Sequence, residues 1–316
     1  MTGESWECVT DMKHTGVNRK FVIVIAVWML LITAVIVCLW HKKSFSKDSD
    51  EYKIFSNVLY AEIPGFDKNL TSLDLYVPKK GDKLPVMVFI HGGAWRMGDK
   101  SNHSKKPLRF VREGYIFASI NYRMSPGVTF PVYVQDVAKA IGWIYKNIST
   151  YGGDRDKIFI MGHSAGAHLA ALVAIDGKYL EEEGYKLDLL KGVVLLDGAG
   201  YDIPKIKEVN KNLFNRLYKP AFGDNPVILK EASPLYHVEK GRDIPPFFII
   251  YAGSREMSKL ESAWLEESLK NAGVHAELYH ASDKNHGTLN RELGADKDEA
   301  TEKILEFLKK ITDGRF

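Results

Sequence analysis

From residue 58 onward the chain alternates short apolar runs with stretches of helical periodicity. The apolar runs predict strands over 58–63, 72–77, 85–90, 116–120, 158–161, 192–196, 247–251 and 276–279. Runs such as VMVFI and FFIIY are unbroken in apolar character, as strands covered on both faces are. Apolar positions recurring every three to four residues predict helices over 134–148, 165–174, 262–272 and 296–311. Early strands followed by strand–helix alternation imply an α/β fold with an eight-stranded, mostly parallel sheet and helices on both faces. The connection over 198–241 is long and mixed. Within it KIKEVNKNLFNRLY sets Ile206, Val209, Leu213 and Leu217 on one side of a helix. A connection of that length reads as a cap-like functional insertion.

One stretch departs from this alternation. Residues 21–40, FVIVIAVWMLLITAVIVCLW, carry no charge. A helix of that length rises about 30 Å, enough to cross a hydrocarbon core. A secretory signal has a shorter apolar region and a small-x-small cleavage site. Here Trp40-His41-Lys42-Lys43 closes the run and no A-x-A triplet follows, so we read an uncleaved single-pass anchor. Starting from Met12 would leave KHTGVNRK as a basic region in front of it. The flanks Lys13, Arg19, Lys20 and Lys42, Lys43, Lys47 nearly balance, so positive charge sets no orientation. The catalytic domain is expected outside the cytoplasm. The chain then divides into a tail (1–20), an anchor (21–40), a polar linker (41–54) and a catalytic domain (55–316).

Composition narrows the classes of function. Net charge is +3 from 43 basic and 40 acidic residues, which leaves no nucleic-acid footprint. The two cysteines, Cys8 and Cys38, both precede residue 41, so the main domain has neither a disulfide nor a thiolate metal site. There is no H-E-x-x-H and no Cys/His ligand cluster, and no metal or cofactor is expected.

The chemistry concentrates in GHSAG, residues 162–166. Ser164 lies between a predicted strand and a predicted helix, on a turn too tight for side chains at Gly162 and Gly166. The helix start aims free N–H groups and its positive end at that turn. A serine used as nucleophile needs a base, an acid that orients the base, and donors for the oxyanion. The donors are assigned to the N–H groups of Gly92 and Gly93, in HGGAW after a strand, and to that of Ala165. His14 and His41 flank the anchor, and His91, His163 and His168 belong to the glycine motifs. His103, His237, His275 and His280 read as surface or loop residues. The base is assigned to His286, in the polar loop ASDKNHGTLN between the last strand and the last helix. For the acid, Glu256 follows the strand PPFFIIYAG; Asp283, near His286, and Asp202, after the preceding strand, are the alternatives.

Together these parts resemble the α/β-hydrolases, in the HGG-containing esterase/lipase branch that includes carboxylesterases, feruloyl esterases and kynurenine formamidases. The likeness is carried by HGGAW (91–95), GHSAGAH (162–168), GSRE (253–256) and NHG (285–287), with further likeness in NYR (121–123) and SPLYHVEKGRDIPPFFIIYAG (233–253). It covers about residues 55–312. By it Ser164, Glu256 and His286 form the triad; the family usually carries aspartate where this chain has Glu256. Trp95 and His163 are expected to contact substrate, with Trp95 lining the acyl or alcohol pocket and the insertion closing over it. The resemblance implies hydrolysis of a small carboxylic ester through an acyl-enzyme. The rival readings are an arylformamidase-type amide hydrolase using the same triad and a non-catalytic binding protein on the same fold.

Overall fold

The computed structural model describes residues 51–316. The predicted anchor, the tail before it, most of the linker and the membrane attachment they imply lie outside these residues. Among the described residues no helix is long and apolar enough to cross a membrane.

Eight strands form one sheet: β1 (Tyr52–Leu59), β2 (Ser72–Pro78), β3 (Leu84–Ile90), β4 (Ile116–Ile120), β5 (Gly153–His163), β6 (Leu190–Leu196), β7 (Phe247–Ala252) and β8 (Ala276–Ala281). Their order is β1-β2-β4-β3-β5-β6-β7-β8. β1 and β2 pair antiparallel, as do β2 and β4, and every later pairing is parallel. Each apolar run of the sequence therefore falls on a strand. The exception in placement is β1, which starts at Tyr52 rather than 58 and so takes in the end of the predicted linker. It is an edge strand with mostly exposed residues and a register shift between Phe55 and Val58, so no continuous apolar run marks it.

The helices are α1 (Lys106–Arg112), α2 (Val132–Asn147), α3 (Ala165–Ile175), α4 (Lys178–Glu182), α5 (Ile203–Val209), α6 (Lys211–Leu213), α7 (Lys219–Phe222), α8 (Pro226–Glu231), α9 (Glu256–Asn271), α10 (His286–Glu292) and α11 (Glu299–Thr312). Successive side chains of a strand face opposite sides, and β3 divides accordingly. Val86, Val88 and Ile90 pack with residues of α2, α3 and α9 on one face. Met87 and Phe89 pack with residues of α1, α10 and α11 on the other. Every residue of α3 is buried, which explains its apolar sequence all round.

The insertion is not one helix. Asn210 ends α5, and its side-chain oxygen accepts the N–H of Leu213 at 3.0 Å, starting a new turn. One wide π turn, Phe214–Tyr218, follows before α7. The predicted stripe does not face one way: within α5 itself Ile206 is buried, whereas Val209 is 52% exposed. Ile203, Ile206, Phe214, Tyr218, Phe222 and Leu229 join the core on the α2/α3 face.

Candidate active site

Strands β3, β5, β6 and β7 are neighbours and parallel, so their carboxyl ends sit side by side. That topology brings the segments after Ile90, His163, Leu196 and Ala252 to one edge of the sheet, where open α/β sheets build their sites.

Ser164 occupies the turn from β5 to α3 with φ 56° and ψ −117°, in the left-handed half of backbone space that side chains avoid. Its N–H donates to the Leu196 carbonyl at 3.0 Å, and its own carbonyl accepts from Ala167 and His168 in the first turn of α3. The flanking glycines are required by contact. A Cβ on Gly162 would lie 2.5 Å from the Ala167 nitrogen, and one on Gly166 2.6 Å from the His91 carbonyl oxygen. Gly92 approaches the same turn, since a Cβ there would fall 2.7 Å from the His163 carbonyl oxygen and 3.1 Å from the Ser164 Cβ. Gly93 has φ +124° and packs on the Met97 backbone. Ala165 is the first residue of α3. The glycine loop and the nucleophile turn predicted from sequence are thus in contact.

His286 opens α10 rather than sitting in a loop. Asn285 caps that helix, accepting the N–H groups of Gly287 and Thr288, in a capping box with Thr288. The ring faces Asp197: Nδ1 lies 2.6 Å from Asp197 Oδ2. His163 secures the other side. Its ring stands 4.5 Å from that of His286, and its Nε2 is 3.0 Å from the His286 carbonyl oxygen. Burial and the nearby His286 and Lys106 charges push the His163 imidazole down to about 3, so it is neutral and Nε2–H is the donor.

The acid expected at Glu256 is corrected here. Glu256 is an exposed first-turn residue of α9, and the carboxylate against His286 belongs to Asp197. The reason lies in Arg255, whose Nη1 donates to Asp197 Oδ2 and lies 2.5 Å from His286 Nδ1, filling the space after β7. Asp197 follows β6 directly, with φ 45°. Ser258 Oγ donates to its Oδ1, and the Ala252 N–H reaches the same oxygen at 3.1 Å. Burial alone would raise this carboxyl; the bonds from His286 and Ser258 and the Arg255 charge prevail and hold it at about 2. The two alternatives are occupied elsewhere. Asp202 caps α5 by accepting the Lys205 N–H at 2.9 Å, and exposed Asp283 pairs with Lys284 at 3.2 Å. The apolar run GVVLL ending in Asp-Gly was the available signal for Asp197: a carboxylate at the last step of a buried strand.

Trp95 also departs from expectation. It is 1% exposed and so does not line an open pocket. Its ring packs 4.8 Å from Phe222 and 5.6 Å from Tyr218, and Nε1–H donates to His168 Nδ1 at 3.2 Å. His168 Nε2–H in turn donates to the Ala232 carbonyl at 2.6 Å. Burial pushes this imidazole down to about 4, so it stays neutral and relays the chain of bonds. Trp95 therefore ties the glycine loop, α3 and the insertion together. We expect Trp95→Ala to lower unfolding free energy by about 3–5 kcal/mol, measured by urea denaturation. His163, in contrast, does reach open space. It borders a cavity of about 520 Å³ together with Gly92, Gly93, Met97, Asn102 and Asn290.

The chain is similar to known esterases in sequence and fold. The BD-FAE family model matches residues 73–267. The chain is 34% identical over 218 residues to esterase LipQ of Mycobacterium tuberculosis, covering 64% of this chain and 51% of that one. It is 30% identical over 270 residues to the isoprenylcysteine alpha-carbonyl methylesterase ICME of Arabidopsis thaliana, covering 80% of this chain and 63% of that one. The chain thus spans between half and two thirds of these relatives' length. Among solved structures, esterase B from Lactobacillus rhamnosis shares the fold with a TM-score of 0.68 at 21% identity, over 90% of this chain and 96% of that one.

Proposed function

The chain belongs to the BD-FAE family, in the esterase/lipase branch of the α/β-hydrolases, and on that premise we propose that it hydrolyses carboxylic esters with Ser164, His286 and Asp197 as its triad. His286 takes the Ser164 hydroxyl proton as Oγ attacks the ester carbonyl. The N–H groups of Gly92, Gly93 and Ala165 receive the developing oxyanion, where each donor is worth about 3–4 kcal/mol. His286 returns the proton to the departing alcohol, leaving an acyl-Ser164. A water molecule, deprotonated by the same imidazole, then releases the acid. Asp197 accepts the Nδ1–H throughout, which leaves Nε2 free to take the serine proton and stabilises the imidazolium that then forms.

The observation that carries this reading is the 2.6 Å approach of His286 Nδ1 to a buried, ionised Asp197, on the turn beside a positive-φ serine. Such a pairing has no packing value that an apolar pair would not supply better. A fluorophosphonate probe with peptide mapping tests it. The full chain is expected to take one phosphonyl group on Ser164, with hydrolysis of p-nitrophenyl acetate falling in step. Hydrolysis persisting in fully labelled protein, or an adduct confined to another residue, would refute the assignment.

A further inference from the structure

Three side chains of α9 address one short segment. Arg255 precedes the helix, and Ser258 and Glu261 follow at steps of three, so all three share a side. Arg255 and Ser258 donate to the Asp197 carboxylate. Glu261 reaches the backbone beyond it: one carboxylate oxygen accepts the N–H groups of Gly200 at 2.5 Å and Tyr201 at 2.9 Å. Glu261 is 1% exposed. Burial raises its carboxyl to about 8, even though both backbone donors and the Arg255 charge act to lower it.

A buried glutamate is a costly choice for a helix face that leucine could fill. The segment it holds explains the choice. Asp197 and Gly200 both have positive φ, at 45° and 87°, so residues 197–201 follow a path that no strand or helix stabilises. Without the carboxylate, two buried N–H groups would lose their acceptor. We propose that Glu261 is a positioning residue for ester hydrolysis: by holding the backbone at Gly200 and Tyr201, it sets the Asp197 carboxylate against His286. The inference rests on the triad reading above. It also accounts for an acid at the end of β6 in a chain whose β7 end holds Arg255 instead.

The test is a double-mutant cycle on the full chain with p-nitrophenyl acetate as substrate. Glu261→Gln keeps an oxygen acceptor but replaces the carboxyl with an amide, and is expected to lower kcat about tenfold with KM within about twofold. Glu261→Leu removes the acceptor and is expected to lower kcat about a hundredfold, so that glutamine partly rescues it. In an Asp197→Asn background, Glu261→Gln is expected to add less than about twofold, because its effect passes through the acid already lost. Equal losses from Glu261→Gln in both backgrounds, or wild-type kcat in both Glu261 variants, would overturn the proposal. Should Glu261→Leu fail to fold, the glutamine cycle alone decides. Full activity of Asp197→Asn would instead strike down the triad reading itself, and this proposal with it.

Discussion

Ser164→Ala is expected to lower kcat for a carboxylic ester by about 10⁶-fold while the fold persists, because alanine removes one oxygen and nothing else. The strained turn makes this a clean substitution. φ of 56° is tolerated as well or as poorly by alanine as by serine, and the Ser164 N–H bond to Leu196 is made by the backbone. Residual turnover about 10³–10⁴ above that in water is expected to remain, from the oxyanion donors and substrate binding alone. The measurement is steady-state hydrolysis of p-nitrophenyl acetate beside circular dichroism of the same preparation. Loss of only a few fold in a folded variant would mean that another group attacks the ester.

Asp197→Asn is expected to lower kcat about 10⁴-fold, and Glu256→Gln to leave it within about twofold. Asparagine preserves shape but turns an acceptor into a mixed group, so the imidazole is free to adopt the tautomer with its proton on Nε2. That tautomer cannot accept from Ser164. The substitution also leaves Arg255 without the carboxylate it pairs with, so a loss of stability accompanies it, which thermal melting separates from the loss in kcat. Glu256 offers the control: it lies one residue past Arg255 in an exposed position. The reverse ranking of the two variants would restore Glu256 as the acid.

Much of this molecule was legible from pattern. Seven of the eight strands, the nucleophile turn and the glycine loop beside it follow from apolar runs and glycine spacing, since each is a local requirement. A buried strand must be apolar along its length, and a turn that approaches a neighbouring backbone must lack side chains. β1 escaped because an exposed edge strand needs no apolar run. The insertion was misread as one helix because periodicity cannot register that Asn210 caps the following turn. Trp95 read as a pocket residue because a tryptophan after a glycine loop looks the same whether it faces solvent or Phe222 and His168.

The sequence by itself determined the sheet, the layer arrangement and the glycine-flanked turn at Ser164, because these depend on residues that answer to their immediate neighbours along the chain. The carboxylate that meets His286 was decided by the tertiary structure. Glu256, Asp202, Asp283 and Asp197 all lie near ends of strands or in nearby loops, and only three-dimensional packing puts one of them within 2.6 Å of an imidazole 89 residues away. The carboxylate that meets that ring is held by Arg255 and Ser258 from another helix, long-range hydrogen bonds and charge that no local pattern encodes.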